Sequence, residues 1–430
     1  MAKKSISTSS VSDSASVLDI SSKLLSWYDV YGRDLPWRVV GAHPNPYVVW
    51  VSEIMLQQTT VQTVIPYFYK FMERFPTIEI LADADIEDVL LLWQGLGYYT
   101  RAKKLHECAQ RVVSDFGGKF PKTYAELLKL PGIGPYTAAS ISSLAFDKPE
   151  AVVDGNVIRV ISRLYSMTEE LDQIKPEISK RARQMMPQRR AADYTSAIMD
   201  LGATVCTPKN PVCESCPLQS DCGAKQKNLV GEIPKIVPLK KVQKSGPLFW
   251  IENESGSVYI CKRHEGLLSG LWEFPWMAEE TTKDMPPAFN FPFESDWIFT
   301  KKSIRHTFTH IQLSLFIYRT KTNEQDPDFL VFQKKTGGSF VPQNDFKDYP
   351  FSTLMKKVIH ETEDAKNKKM ASKKTEFKDM NLKKTEFKDM NLKKTEKPKI
   401  EKPKIEKPKI EKLKIEKPKT EKIIKQISDF

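Results

Sequence analysis

The order of apolar and polar positions changes character twice along the 430 residues. From about 18 to 228, apolar residues recur three and four apart, the period of a helix with one buried face. That spacing predicts helices over 18–31, 47–74, 86–93, 99–116, 123–129, 135–145, 156–165 and 175–185. The breaks fall at helix-interrupting residues: Pro36, Gly95 and Gly97, Gly117 and Gly118, then Pro131, Gly132 and Gly134. Residues 229–246 mix Pro, Gly and Lys and read as a linker. Beyond it the pattern alternates or turns β-rich, predicting strands at 248–251, 257–262, 272–275 and 304–318, a turn at 253–256 and a short helix at 351–361. Two folded units follow, a mainly helical one over 18–228 and an α+β one over 247–362.

The remaining chain carries neither period. KKTEFKDMNL occupies 373–382 and recurs at 383–392. EKPKI then fills 396–400, 401–405 and 406–410, followed by EKLKI at 411–415 and EKPKT at 416–420. Prolines five residues apart break any helix, and alternating Glu and Lys bury nothing. A disordered tail over 363–430 is expected, either a charged spacer or a non-specific tether for nucleic acid. This changes the meaning of the formal charge of +12. Residues 361–430 hold 23 lysines against 14 acidic groups, whereas 1–360 hold 43 basic and 40 acidic. The body is nearly balanced and the tail is the basic part. Residues 1–17 are Ser-rich, with Lys3 and Lys4 their only basic groups; they read as flexible and lack the apolar core of a secretory signal. No apolar run approaches the ~18–20 residues of a membrane span, so no membrane partner is expected.

Four of the six cysteines fall within seventeen residues, Cys206-x6-Cys213-x2-Cys216-x5-Cys222. Disulfides suit these short loops poorly in a chain with no sign of export. Structural zinc favours paired knuckles or Cys/His mixtures, and no histidine lies near. Four thiolates with unequal loops suit a [4Fe–4S] cluster, each corner iron taking one sulfur. Spacing alone favours iron–sulfur and leaves zinc open. Cys108 and Cys261 stand alone and read as buried apolar residues.

Between two helical stretches lies LPGIGPY, residues 130–136. Gly132 and Gly134 flank an apolar residue and permit a tight turn with close backbone approach. Pro135 falls near the first helical position, and the helix start behind it offers free N–H groups to an anion such as a phosphate. Any helix–helix turn uses the same residues, so the motif decides little by itself.

The joint pattern is more specific. Asp154 stands twenty residues after Gly134, and the cysteine run begins fifty-two residues later. With WVSEIMLQQTTVQTVIPYFYKFMERFP, WQGLGYYTRAKKLH, KLPGIGPYTAASI, VVDGNVIRVISRLY, AIMDLGATVCTPKNPVCESCPLQSDC and FTH, the chain resembles the helix-hairpin-helix DNA glycosylases of the endonuclease III superfamily. Within that superfamily it is similar to the adenine DNA glycosylases of the MutY type. The resemblance is dense over 22–225 and looser over 247–362, and the tail has no counterpart. It implies a mainly α helix-hairpin-helix domain with an iron–sulfur module over 206–222, a C-terminal Nudix-like domain, and one [4Fe–4S] cluster on Cys206, Cys213, Cys216 and Cys222. The implied activity is base excision repair inside the cell: a monomer removing adenine mispaired with 8-oxoguanine, and with guanine, from duplex DNA.

The resemblance also distributes roles. Glu53 sits among Val51, Ile54, Met55 and Leu56, surroundings that raise a carboxyl's pKa. An exposed Glu on an amphipathic helix would have the same sequence. The resemblance makes Glu53 the general acid that protonates adenine at N7. Asp154 reads by itself as a helix N-cap. By resemblance it stabilises the oxocarbenium-like sugar left behind, with Asn156 helping to position water or sugar. Tyr136 occupies the place where bifunctional relatives carry a lysine; a phenol forms no imine, so the implied enzyme leaves the strand intact. Gln57, Gln58, Leu96 and Tyr98 fall where the family probes and wedges the base stack. Trp37, Arg38 and Asp200 fall near the adenine pocket, and Gly132 and Gly134 in the phosphate-holding hairpin.

In the second unit GLWEFPW is similar to a Nudix fold, yet no G-x5-E-x7-R-E-x-x-E-E follows Gly270; Met277, Thr281, Thr282, Pro286 and Pro287 come instead. The family reads 8-oxoguanine through a Phe-Ser-His loop, here Phe308-Thr309-His310, with a threonine hydroxyl for the serine. An alternating strand would also accommodate FTH. Two other functions fit less well. A bifunctional pyrimidine-damage glycosylase/lyase is disfavoured by Tyr136 and the second unit, and a non-catalytic lesion binder by the presence of both Glu53 and Asp154.

Deleting 365–430 is expected to leave single-turnover excision unchanged under saturating conditions while weakening non-specific duplex binding. Interleaved acidic residues compete with phosphate for the lysines, so the slope of log K against log salt should fall by about 1–3. An unchanged slope or a collapse of excision would contradict this.

Overall fold

A computed structural model describes residues 13–38, 44–238, 240–281 and 289–362, and the expectations for 1–12 and 363–430 lie outside the described residues. The first unit is helical: Asp13–Tyr31, Pro46–Leu56, Val61–Arg74, Ile78–Asp83, Ile86–Leu92, Thr100–Phe116, Tyr124–Leu127, Pro135–Phe146, Gly155–Leu164, Leu171–Met185 and Ala191–Thr204. The segment expected as one helix over 47–74 is two. Gln58 adopts a left-handed backbone at φ 61°, and the Thr60 hydroxyl accepts from the Thr63 N–H to start the second helix. Ala191–Thr204 escaped the periodic reading because Ala191 and every residue from Tyr194 to Gly202 are buried, which leaves no polar face to mark a period. The first helix also begins at Asp13, inside the segment expected to be flexible.

Two apolar cores underlie this unit. One draws on side chains from Leu35 to Ala145, and the other on Ile20, Leu24 and side chains from Ala139 to Leu218. The helix Pro135–Phe146 gives Ala138, Ile141 and Ala145 to the first core and Ala139 to the second, so it lies at their seam. The hairpin before it forms as the sequence suggests. Pro135 occupies the start of the helix and Gly134 its N-cap. Gly132 is the position that requires glycine: its φ is +72°, and a Cβ there would stand 2.6 Å from the Lys104 Cβ. Gly134 is extended, with open space where its Cβ would be.

The second unit is built on a sheet ordered Trp272–Glu273, Val258–Lys262, Val242–Glu252, Ile311–Lys321, Ile298–Thr307. Val242–Glu252 and Ile311–Lys321 run parallel from Val242 opposite Ile311 to Glu252 opposite Lys321. Leu248 and Trp250 face one core, Phe249 and Ile251 another, so both faces of this central strand are covered. Two expectations are corrected. The strand begins at Val242, inside the presumed linker over 229–246, because its first residues already pair with Ile311–Lys321. The run over 304–318 is two antiparallel strands, and Phe308-Thr309-His310 is the turn between them, closed by Phe308 N–H to Ile311 O at 2.8 Å. The helix Pro327–Thr336 was not anticipated; a helix at 353–362 closes the unit as expected.

The units dock directly. Leu271 joins the first helical core. Glu87 accepts from Lys262 Nζ and from Trp272 Nε1, Gln94 Nε2 donates to Tyr349 O at 2.7 Å, and Lys103 Nζ donates to Ser269 Oγ at 3.1 Å.

Candidate active site

Three elements meet around one carboxyl. Asn45 and Pro46 start the helix Pro46–Leu56, on which every residue from Tyr47 to Met55 is buried. Glu53 is therefore not on a solvated face; it is 5% exposed. Tyr136, from the seam helix, donates its hydroxyl to Glu53 Oε2 at 2.6 Å. Burial raises the proton affinity of Glu53; bonds from Tyr136 and Ser140 pull against it, the Asp154 charge adds to it and Arg38 subtracts. The net shift is upward. Tyr136 itself is held well above its ordinary value by burial and by the charges of Glu53 and Asp154.

Asp154 comes from the second core's side. It caps Gly155–Leu164, accepting from Val157 N–H at 2.7 Å and from Asn156 Nδ2 at 2.8 Å. Burial raises its pKa, opposed by those bonds, by the Asn156 N–H and by the Arg159 charge. Arg159 holds this end in place: it donates to Asn156 Oδ1 at 2.8 Å, to Gly202 O at 2.7 Å and to Cys206 O at 2.7 Å. Gly202 must lack a side chain, since a Cβ there would lie 2.5 Å from that of Asn156.

Beside Glu53 opens a cleft of about 450 Å³, lined by Tyr28, Arg33, Trp37, Arg38 and Arg190 among others. Arg33 and Arg38 both grip Asp200: Arg38 Nη1 and Nη2 each lie 2.8 Å from its carboxylate, and Arg33 donates through its backbone N–H and Nε. Burial alone would raise Asp200, but the two guanidiniums overcome it and hold the carboxyl below its ordinary value. Asp200 is fully buried, so it acts from behind Arg33 and Arg38 instead of lining the cleft itself. Sequence reasoning missed Arg33; its place beside the WR pair in GRDLPWR was the available signal.

Of the four wedge candidates, Gln58 and Tyr98 are exposed and Gln57 is half-buried, with Nε2 3.2 Å from Thr137 Oγ1. Leu96 is a correction. At 5% exposure it packs into the first core, because the Gly95–Gly97 turn folds it inward. Gln58 and Tyr98 both have left-handed backbones, at φ 61° and 49°. Residues without the freedom of glycine hold that conformation at a cost, and such strain collects at functional sites. Arg101, also missed, ties the two regions together. Its guanidinium donates to Ile54 O and Met55 O at the end of the Glu53 helix and to Leu96 O and Gly97 O beside the wedge. Burial lowers its pKa to about 10.

A second cavity, of about 390 Å³, lies between the units and is lined by Tyr98, Leu268, His306, Phe308, Thr309 and His310 among others. Across it Tyr98 Oη and Thr309 Oγ1 are hydrogen-bonded at 2.5 Å. The structure therefore brings Tyr98 and the FTH turn to one place.

All six cysteines are free thiols, and Cys108 and Cys261 are buried as expected. Cys206, Cys213, Cys216 and Cys222 are half-buried, and burial followed by the charges of the other three sulfurs raises Cys216 to about 11. A raised value favours the neutral thiol, so a thiolate at Cys216 calls for a metal centre to stabilise it. Four thiols on short, unequal loops are the donor set of an iron–sulfur centre. The buried Arg163 guanidinium lies 3.4 Å from Cys206 Sγ and donates to Thr207 O at 2.8 Å.

The comparisons with known proteins agree with this layout. Residues 51–188 match the HhH-GPD superfamily of base excision DNA repair proteins, residues 206–222 the iron-sulfur binding domain of endonuclease III, and residues 248–361 the NUDIX domain. The class is thus a helix-hairpin-helix DNA glycosylase carrying one [4Fe–4S] cluster. Over 410 residues the chain is 33% identical to an adenine DNA glycosylase of Homo sapiens, covering 81% of this chain and 74% of that one. The adenine DNA glycosylase of Mus musculus is 33% identical over 414 residues (82% and 79%), and that of Buchnera aphidicola subsp. Baizongia pistaciae 38% over 278 (60% and 77%). The chain belongs to the adenine DNA glycosylase family.

The strain at Tyr98 yields a prediction. Tyr98→Gly and Tyr98→Ala both remove the ring, but only glycine relieves the left-handed backbone. The glycine variant should be more stable by about 1 kcal/mol in urea unfolding, and both should lose excision. Equal stabilities would mean the backbone there is unstrained.

Proposed function

We propose that the protein excises adenine lying opposite 8-oxoguanine, and opposite guanine, in duplex DNA, hydrolysing the N-glycosidic bond and leaving the strand intact. The carrying observation is the buried Glu53 carboxyl, raised in proton affinity and bonded through Oε2 to Tyr136. With Oε2 taken by a donor, the proton is left to Oε1, from which it passes to N7 of an adenine turned out into the adjoining cleft. Protonation makes the base a better leaving group. Asp154, its oxygens held by Val157 and Asn156, offers negative charge to the developing oxocarbenium. Asn156 is placed beside it to orient water. Arg33 and Arg38, fixed by Asp200, supply the polar edge of the base pocket.

The opposite base is assigned to the cavity between the units, where Phe308, Thr309 and His310 face Tyr98. Gly132, Gly134 and the helix start at Pro135 are placed to hold a phosphate. The four cysteines hold the cluster, which when bound braces 206–222 against the helix of Asp154. The proposed site is complete within one chain, so it needs no second copy, and the adenine DNA glycosylase relatives support action on DNA inside the cell. The described residues include no helix long and apolar enough to cross a membrane. The strand-cutting alternative requires an amine. Among the described residues lining the Glu53 cleft the cations are Arg33, Arg38 and Arg190, with no lysine, and Tyr136 is a phenol.

Glu53→Gln is expected to bind mismatched duplex and to release no adenine in single-turnover assays. Its stability should also rise relative to wild type above about pH 4.3, where Glu53 ionises in the unfolded chain but resists ionising in the folded one. Excision near the wild-type rate would refute the assignment. Excision by the wild type should fall as pH rises through the raised Glu53 value.

Borohydride is expected to trap no covalent enzyme–DNA complex, and strand breaks should appear only after alkali. Efficient trapping would favour the lyase reading instead.

A further inference from the structure

Ser140 lies one turn beyond Tyr136 on the seam helix and has no exposure to solvent. Its hydroxyl faces both the Glu53 carboxyl and the Tyr136 hydroxyl. Among the described residues, however, it closes no hydrogen bond of full geometry. Serines inside helices ordinarily bond back to a carbonyl of the preceding turn. Ser143, on the same helix, satisfies itself with Ala191 O and Thr195 Oγ1. Within this helix the orphan hydroxyl is particular to Ser140, although Ser166 and Tyr194 carry unpaired hydroxyls elsewhere. Alanine would be the better helix former at this position and would leave no buried polar atom unpaired, so packing gives no reason for a serine. What the position does have is a view of the two groups on which the chemistry turns.

We propose that Ser140 is a positioning residue for adenine release, its hydroxyl acting as a second donor to the Glu53 carboxyl beside Tyr136. The inference rests on reading Glu53 as the acid. Four groups face that carboxyl: the hydroxyls of Tyr136 and Ser140, the negative charge of Asp154 and the positive charge of Arg38. Burial and Asp154 tighten its hold on the proton, while Tyr136, Ser140 and Arg38 loosen it. An acid transfers its proton best when its affinity lies near the working pH, and a carboxyl raised without limit would keep a proton it must give away. Ser140 restrains that rise. It also fixes the carboxyl's rotation, since two donors from one helix face define a plane that a single donor leaves free. The bond tightens when the base enters and water leaves, as catalytic hydrogen bonds long in the free enzyme do.

The test is single-turnover excision from an A:8-oxoguanine duplex at saturating enzyme, followed from about pH 5 to 10 for wild type, Ser140→Ala, Ser140→Cys and Glu53→Gln. Removing a donor to the ionised form raises the Glu53 pKa, so the alkaline limb of Ser140→Ala should move up by about half to one pH unit. Its low-pH plateau should fall about two- to fivefold, because a weaker acid transfers its proton more slowly. Ser140→Cys, a poorer donor, should fall between. A purely structural serine predicts something different: Ser140→Ala more stable to heat, with a profile superimposable on wild type. That result, or a downward shift, overturns the proposal while Glu53→Gln remains inactive. An active Glu53→Gln would overturn the reading of the acid itself, and the two failures are told apart by that variant.

Discussion

A single carboxyl held out of water organises this protein. Glu53 sits on a helix buried on all sides, where an ionised group is costly unless its neighbours answer it. The neighbours come from separate parts of the chain: Tyr136 and Ser140 from the helix that joins the two cores, Asp154 from a cap on the second, and Arg38 from the loop before the Glu53 helix. None of these groups is placed by its own helix alone. The seam between the cores is therefore a requirement of the site: a unit with one continuous core would give the carboxyl nothing but apolar contacts. The same burial that raises the proton affinity of Glu53 makes it a liability to the fold once ionised.

Arginines carry this constraint outward. Arg101 bonds carbonyls at the end of the Glu53 helix and in the Leu96–Gly97 turn with one planar fork, so the acid and the wedge share a fixed distance. Arg159 does the same between Asn156 and Cys206, and Arg163 between the Cys206 loop and Ile233 O. Arg101 and Arg159 satisfy carbonyls that helix ends leave open, at Ile54, Met55 and Gly202, and Arg163 satisfies loop carbonyls. The cysteine loop is thus connected to Asp154 through Arg159 and Asn156, so order imposed on the loop by a bound cluster would reach that carboxylate.

Much of this was legible in the residues, and the misses have physical reasons. Where a helix has one wet face, as in Thr100–Phe116, periodicity locates it; where it is buried all round, as in Ala191–Thr204, there is no period to read. Glu53 exposes the same limit from the other side. Its apolar neighbours were visible, but whether they enclose it depends on helices far along the chain. Only the family resemblance makes Leu96 a wedge candidate; the two left-handed glycines beside it aim it inward and Tyr98 outward. Arg101 and Ser140 act through contacts across the fold that no local motif records, whereas Arg33, bonded to Asp200 167 residues away, had only its place in GRDLPWR as a signal. The four cysteines and the hairpin were legible because their chemistry is written in short spacing.

On the proposed reading, in which the cavity between the units takes the opposite base, the bond between Tyr98 and Thr309 sets what recognition demands of the free protein. Each hydroxyl already has a partner in the other unit, but only one of the two donates, so one O–H proton stays available to a purine. Entry of a base exchanges one hydrogen bond for another, and the net gain is the difference between them. A hydroxyl both donates and accepts, so Thr309 alone does not separate purine edges that differ in the direction of one bond. Discrimination therefore rests on what surrounds the hydroxyl: the left-handed backbone that fixes Tyr98, the turn that fixes Thr309, and the docking contacts of Glu87, Gln94 and Lys103 that set their separation. Thr309 has one further property that serine lacks. Its branched side chain has fewer rotamers, so the hydroxyl points with less freedom and loses less entropy when it changes partner.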